Sequence, residues 1–240
     1  MANVQERPKN TSARLRSLVP EPIKAFLRRR QGWIRARMVT RHRGATFATL
    51  PPYSVEPMLR HLTHGARTVL DVGCGTMDRL STVPVGVRVG VDAHRPYLSN
   101  RVDDNLLVPV HYDARRMMEI FLPRSFDVVM LIDVIEHFRK SEGLEILDDV
   151  ERIARSRVVV FTPLGEFPQS DFDAYGLGGE QFQEHRSAWH EADFSSRGYS
   201  IAVCPEFHRP TTNVSHRRAF GEGGAPVDAL LVWKDVAADQ

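Results

Sequence analysis

Four aspartates, Asp71, Asp92, Asp113 and Asp133, each fall at or near the end of a short apolar run, and about 20 residues separate one from the next. Gly73 and Gly75 follow Asp71, an order that suits a buried strand turning sharply into a helix. Such a turn exposes backbone N–H groups at a helix start, where polar ligand groups are readily held. Asp92 stands where an acidic side chain in dinucleotide-binding folds accepts hydrogen bonds from ribose hydroxyls. Asp133, Glu136 and His137 are spaced i, i+3 and i+4, which predicts one shared helix face. Joined by the distant His185, Glu136 and His137 make a set suited to one divalent ion such as Mg²⁺. His137 or His185 without a metal is a candidate general base. Any one of these carboxylates alone also reads as a helix cap or a turn former; four in this order read as a site.

The elements that must position them alternate. Apolar strands are expected at 68–72, 87–92, 108–112, 126–132 and 158–162, separated by polar or amphipathic stretches. One helix is expected at 142–155, where Leu144, Leu147, Val150 and Ile153 recur at helical spacing. Strands alternating with helices imply a parallel, doubly wound α/β sheet, with ligands beyond the carboxyl ends of its strands. Two late strands, at 199–204 and 228–234, are expected as a hairpin joined by a loop over 205–226 with no helix in it. A nicotinamide-binding sheet is disfavoured. Its fingerprint needs a glycine at position 78, and Asp78 would repel a pyrophosphate.

The stretch Thr68-Val-Leu-Asp-Val-Gly-Cys-Gly-Thr76 resembles the first motif of the class I S-adenosylmethionine-dependent methyltransferases, acidic-x-Gly-x-Gly-x-Gly, with Met77 at the third glycine. The run from Phe126 into Asp133-Val-Ile-Glu-His137 resembles their fourth motif, and the resemblance spans about residues 65–165. It implies a Rossmann-like methyltransferase sheet, mostly parallel with a C-terminal antiparallel hairpin, and S-adenosyl-L-methionine as cofactor. It further implies cofactor contacts from Asp71, Gly73, Gly75, Asp92, Asp113, Ala114 and Asp133, with Asp113 and Ala114 at the adenine. The Asn/Asp-Pro-Pro-Tyr sequence of base-amino methyltransferases is absent after the fourth strand, and neither Cys74 nor Cys204 sits where a cytosine-C5 enzyme needs its nucleophile. O-methylation, on a hydroxyl or a carboxyl, is therefore the expected reaction. The segment Gln183-Glu-His-Arg-Ser-Ala-Trp-His190 is similar to segments of bacterial tailoring methyltransferases for glycans or small molecules, which implies a loop over the acceptor with His185 facing the methyl. The Glu136, His137 and His185 set resembles small-RNA 2′-O-methyltransferases and some ubiquinone-pathway enzymes, which leaves base and metal both open.

Charge divides the chain into a basic N-terminal arm, residues 1–45, and a methyltransferase domain, residues 46–240. The arm has 12 Lys or Arg against Glu6 and Glu21, a balance of +10, and the rest carries −8. Arg28-Arg29-Arg30 and neighbouring Phe26, Trp33 and Ile34 suit contact with an anionic membrane; phosphates of a nucleic acid are the weaker expectation. A solvated extension folded onto the domain is the plain alternative. No apolar run is long enough for a membrane span, and both cysteines are expected as free thiols. The expected setting is cytoplasmic, at the inner face of the membrane where the arm engages it. The expected partner is a small-molecule or glycan acceptor; an RNA methyltransferase using the arm, or a non-catalytic cofactor-binding protein, are the alternatives.

Overall fold

The computed structural model describes residues 47–49 and 55–236, so the basic arm and what was expected of it lie outside the described residues. Among the described residues eight strands form one sheet: β1 (Phe47–Thr49), β2 (Thr68–Val72), β3 (Val87–Asp92), β4 (Leu107–His111), β5 (Phe126–Ile132), β6 (Ala154–Pro163), β7 (Ser200–His208) and β8 (Val227–Asp235). Their order is β1-β7-β8-β6-β5-β2-β3-β4. β2 pairs in parallel with both β3 and β5, Leu70 lying opposite Val89 and Val129. The chain therefore reverses its direction of winding at β2, and a crevice opens at the carboxyl ends of β2 and β5. β8 runs antiparallel between β6 and β7, as the hairpin reading expects.

The central parallel strands β2, β3 and β5 are buried on both faces, which is why they read as mainly apolar runs rather than alternating ones. One face packs on Met58 and Leu59 of helix α1 (Val55–Leu62); the other packs on Ile146, Leu147 and Val150 of helix α4 (Lys140–Ile153). Between these come two short helices, α2 (Asp78–Ser81) and α3 (Arg95–Ser99). Helix α4 ends two residues earlier than its periodicity suggests, because β6 begins at once with Ala154 and extends four residues before the expected strand.

Two expectations need correction. The segment 205–226 is not an irregular loop: β7 continues to His208, and helix α7 (Val214–Phe220) stands between β7 and β8, capped by the Asn213 side chain. Trp189, Ala192 and Phe194 have a spacing that predicts an amphipathic helix, but the helix there is only α6 (Glu191–Ser195), and Trp189 itself precedes it, fully buried. Lys140 Nζ lies 3.6 Å over the Trp189 ring, and Gly165 N donates to Trp189 O at 2.8 Å. These contacts close residues 164–190, including helix α5 (Glu180–Gln183), into an insertion rooted beside the carboxyl end of β6. Cys74 and Cys204 are free and buried, as expected.

Candidate active site

The turn after β2 is shaped by its glycines. Gly73 and Gly75 have φ of +70° and +53°, in the left-handed region where a side chain strains the backbone. A Cβ at Gly73 would meet Val134 at 2.6 Å, so the turn is also too tight for one. Met77, at the missing third glycine, takes the same conformation with φ of 64° and buries its side chain completely. The fold keeps the turn and sets the cost against a core contact.

Asp92, at the end of β3, accepts from Gly75 N at 2.9 Å and from His94 N at 2.7 Å, and so fastens the turn to the next strand. Each carboxylate oxygen accepts one of these bonds and keeps a second lone-pair direction. Asp71 is 2% exposed, and its Oδ1 has no hydrogen-bond partner. Burial pushes its carboxyl up to about 8, the neighbouring Asp92 adding to the rise and Arg79 opposing it. A buried carboxyl with an orphaned oxygen carries an unpaid desolvation cost until a donor or cation reaches it. Asp113 caps the 3₁₀ turn Ala114–Glu119 by accepting from Arg115 N at 2.9 Å, and the Arg115 side chain holds its carboxylate below the usual range.

Beyond β5 the chain does not enter the helix that the i, i+3, i+4 spacing suggests. Asp133 has φ of 54°, and Ile135–His137 is a single 3₁₀ turn. This corrects the shared helix face. The turn sends Glu136 inward, where it accepts from Thr162 Oγ1 at 2.9 Å, and leaves His137 against His185 with ring centroids 5.0 Å apart. Glu136, His137 and His185 still offer ligand atoms within 4.8 Å of one another, and Asp133 is not among them. Burial raises Glu136 and Asp133 above the usual carboxylate range, Asp133 adding to the rise at Glu136. It lowers His137 to about 3 and His185 to about 4.

The two histidines differ in what they present. His137 has Nδ1 3.3 Å from Glu184 O and Nε2 3.1 Å from Asp133 O, so both nitrogens face carbonyls. His185 has Nδ1 2.6 Å from Phe167 O, which fixes the proton there and leaves Nε2 as a lone pair with no bond from the described residues.

All of the expected residues, from Asp71 to His185, line one cavity of about 530 Å³ at the carboxyl ends of the strands. The insertion covers it. Asp173 accepts from the backbone of Tyr175, Leu177 and Gly179 and from Tyr97 Oη at 2.7 Å, which latches the Gly-rich segment to helix α3. Tyr175 then reaches the turn: its Oη fills the space that a Cβ of Gly75 would need. Tyr97, Asp173 and Tyr175 were not singled out by sequence reasoning. The glycines at 176, 178 and 179 were the visible signal, but nothing local says what their loop covers. His208 and Asn213 also line the cavity and were missed, because their stretch reads as loop.

The "Methionine biosynthesis protein MetW" family model matches residues 54–170. Among solved structures, the YcgJ protein of Bacillus subtilis is similar at 14% identity and a TM-score of 0.53, over 78% of this chain and 99% of that one. A structure named as a methyltransferase of Bacillus halodurans C-125 is similar at 14% identity and 0.52, over 77% and 98%. Phosphoethanolamine N-methyltransferase 2 of Haemonchus contortus, solved with S-adenosylhomocysteine, is similar at 13% identity and 0.54, over 78% of this chain and 53% of that one. The chain has the class I methyltransferase fold. No curated protein matches it significantly. Among the described residues no helix is long and apolar enough to cross a membrane.

Proposed function

We propose that the chain is an S-adenosylmethionine-dependent methyltransferase that methylates a hydroxyl of a small molecule, sugar or lipid-linked glycan. The orphaned Oδ1 of buried Asp71 is the observation that carries this reading. A carboxyl wall of Asp71, Asp92, Asp133 and Glu136 around a glycine turn suits a cationic ligand with no phosphates. S-Adenosylmethionine is such a ligand, and when bound it supplies an electrophilic methyl on a sulfonium that leaves as a thioether. Asp71 would meet its ammonium group, Gly73 and Gly75 would let it approach the backbone, and Asp92 would take the ribose hydroxyls. Asp113 and Ala114 would meet the adenine, and Asp133 would line the path to the methyl.

His185 is the base in this reading. Its Nε2 takes the hydroxyl proton as the oxygen forms its bond to carbon, and Phe167 O holds the imidazole in the tautomer that can do so. His137 would support it by packing rather than by proton transfer. A divalent ion on Glu136, His137 and His185 is the second reading, favoured by their 4.8 Å grouping. It is the weaker one, because both His137 nitrogens face carbonyls and one Glu136 oxygen already accepts from Thr162, so that of the two histidines His185 has the open ligand atom.

The test is transfer from methyl-labelled S-adenosylmethionine to a small-molecule and glycan extract. A labelled methyl ether is expected, its formation untouched by EDTA and slowed about 10²–10⁴-fold in His185→Ala. Chelator-sensitive transfer restored by Mg²⁺ would install the metal reading, and label on nitrogen or carbon would end O-methylation.

A further inference from the structure

The acceptor end of the cavity contains a second imidazole that the proposed chemistry does not use. His208 is 6% exposed, lines the cavity and has an Nε2 with no partner. A buried polar atom left without a partner is uncommon in a folded protein and points to a ligand that completes it.

Its protonation is set by a chain of contacts. Asn213 caps helix α7 by accepting from His216 N through Oδ1 at 3.0 Å. The side-chain amide is thereby oriented, so its Nδ2 is the atom that lies 2.9 Å from His208 Nδ1 and donates to it. The lone proton of the neutral imidazole therefore sits on Nε2. His208 presents an N–H where His185 presents a lone pair.

The fold places the two rings together on purpose-shaped backbone. β7 changes register between Cys204 and His208, and Glu206 inside that irregularity has φ of 52°, so the strand is bent where it delivers His208. Phe167 packs against both imidazoles, its ring 5.4 Å from His185 and 4.9 Å from His208. The two centres are therefore no more than about 10 Å apart, a span one small molecule bridges with two hydrogen bonds of about 2.8 Å. Gln169, Asn213 and Ser215, which also line the cavity, are neutral, and the cation beside them, Arg186, is paired with Glu184 at 3.0 Å. Asp133 and Glu136 close the side toward the cofactor turn, which disfavours a carboxylate or phosphate on the acceptor.

We propose that His208 is an acceptor-binding residue: its Nε2–H donates to an oxygen next to the hydroxyl that His185 holds, so the site selects a neutral vicinal diol or hydroxy-ether such as a sugar ring. This rests on the proposed function and narrows its acceptor. A carboxyl acceptor does not fit the arrangement, and neither does a hydroxyl without an oxygen neighbour.

Two measurements on the full chain test it. Long-range ¹⁵N–¹H spectra of the unliganded chain should show His208 as the Nε2–H tautomer and His185 as Nδ1–H. Titration with a set of methyl glycosides bearing vicinal diols, in protein saturated with S-adenosylhomocysteine, should shift both rings. The opposite tautomer at His208, or no shift at either ring with any glycoside, overturns the proposal. Cofactor binding by calorimetry in the same samples reports separately on the reading beneath it, and can stand when the acceptor proposal falls.

The second measurement uses a glycoside that is methylated. His208→Phe keeps the bulk and removes the donor, and should raise the acceptor KM about tenfold or more while the cofactor KM stays put. His208→Gln restores an N–H and should recover most of that loss. An acceptor KM unchanged in His208→Phe, or equal loss in both variants, overturns the proposal.

Discussion

At the glycine-turn end of the cavity the polar groups are carboxyls standing at or next to strand ends: Asp71 on β2, Asp92 on β3, Asp133 after β5. At the other end they are imidazoles, His185 from an insertion and His208 from a bent strand. The first group is positioned by sheet register, with Asp71 opposite Gly90 and Met130. The second is positioned by single contacts to irregular backbone, such as Phe167 O on His185. Burial acts on both ends and drives both toward neutrality. It pushes Asp71 up to about 8 and pulls His185 and His208 down to about 4. Between those values Asp71 carries its proton and the imidazoles have lost theirs. The carboxyl end is thereby able to ionise when a cation arrives, and the imidazole end is uncharged at neutral pH, His185 offering a lone pair and His208 an N–H.

Breaking the register-fixed end should have the largest effect. Asp92→Ala removes the proposed ribose acceptor and also the bonds to Gly75 N and His94 N that hold the turn closed. Affinity for S-adenosylhomocysteine should fall about tenfold to more than a hundredfold by calorimetry, from roughly 1.5–3 kcal/mol per charged hydrogen-bonding group lost. The histidine tautomers at the far end should be untouched. Unchanged affinity would remove Asp92 from the cofactor site.

Breaking the latch between the two ends should cost less. Asp173→Ala frees three backbone N–H groups and Tyr97 Oη, but these sit at the rim where water can replace it. The rate of S-adenosylhomocysteine release in stopped flow should rise by about 5–30-fold, corresponding to roughly 1–2 kcal/mol. The Asp173 carboxylate is held down to about 2, with Tyr175, Tyr97, Gly179 and Leu177 donating to it, so the effect should not vary with pH above about 4. Release at the original rate would reduce the insertion to passive packing.

The contrast between the ends also explains what the sequence made legible. Strands 68–72, 87–92 and 126–132 were readable to the residue, because double-sided burial leaves a mainly apolar run with polar residues near its ends. Their terminal aspartates came with them. β1 was not readable, being three residues long, and helix α7 was hidden by the glycines and prolines around it. The role of Asp133 through His137 was half legible. The residues that meet were identified, but the left-handed Asp133 that makes them meet is a tertiary constraint with no local signal. His208 could not be found at all. Its tautomer depends on Asn213, whose own orientation depends on a helix cap that sequence reading had replaced with a loop.

The central claim is that Asp71 waits protonated for a cationic cofactor, and titration calorimetry of S-adenosylmethionine against pH tests it most directly. Binding of the cation should depress the Asp71 pKa and expel its proton. Affinity should then weaken by up to about tenfold per unit as pH falls below about 8. Heats in buffers of different ionisation enthalpy should report close to one proton released per cofactor bound. Asp71→Asn should bind more weakly and release none. Absence of binding, or tight binding that neither varies with pH nor releases a proton, would contradict the account.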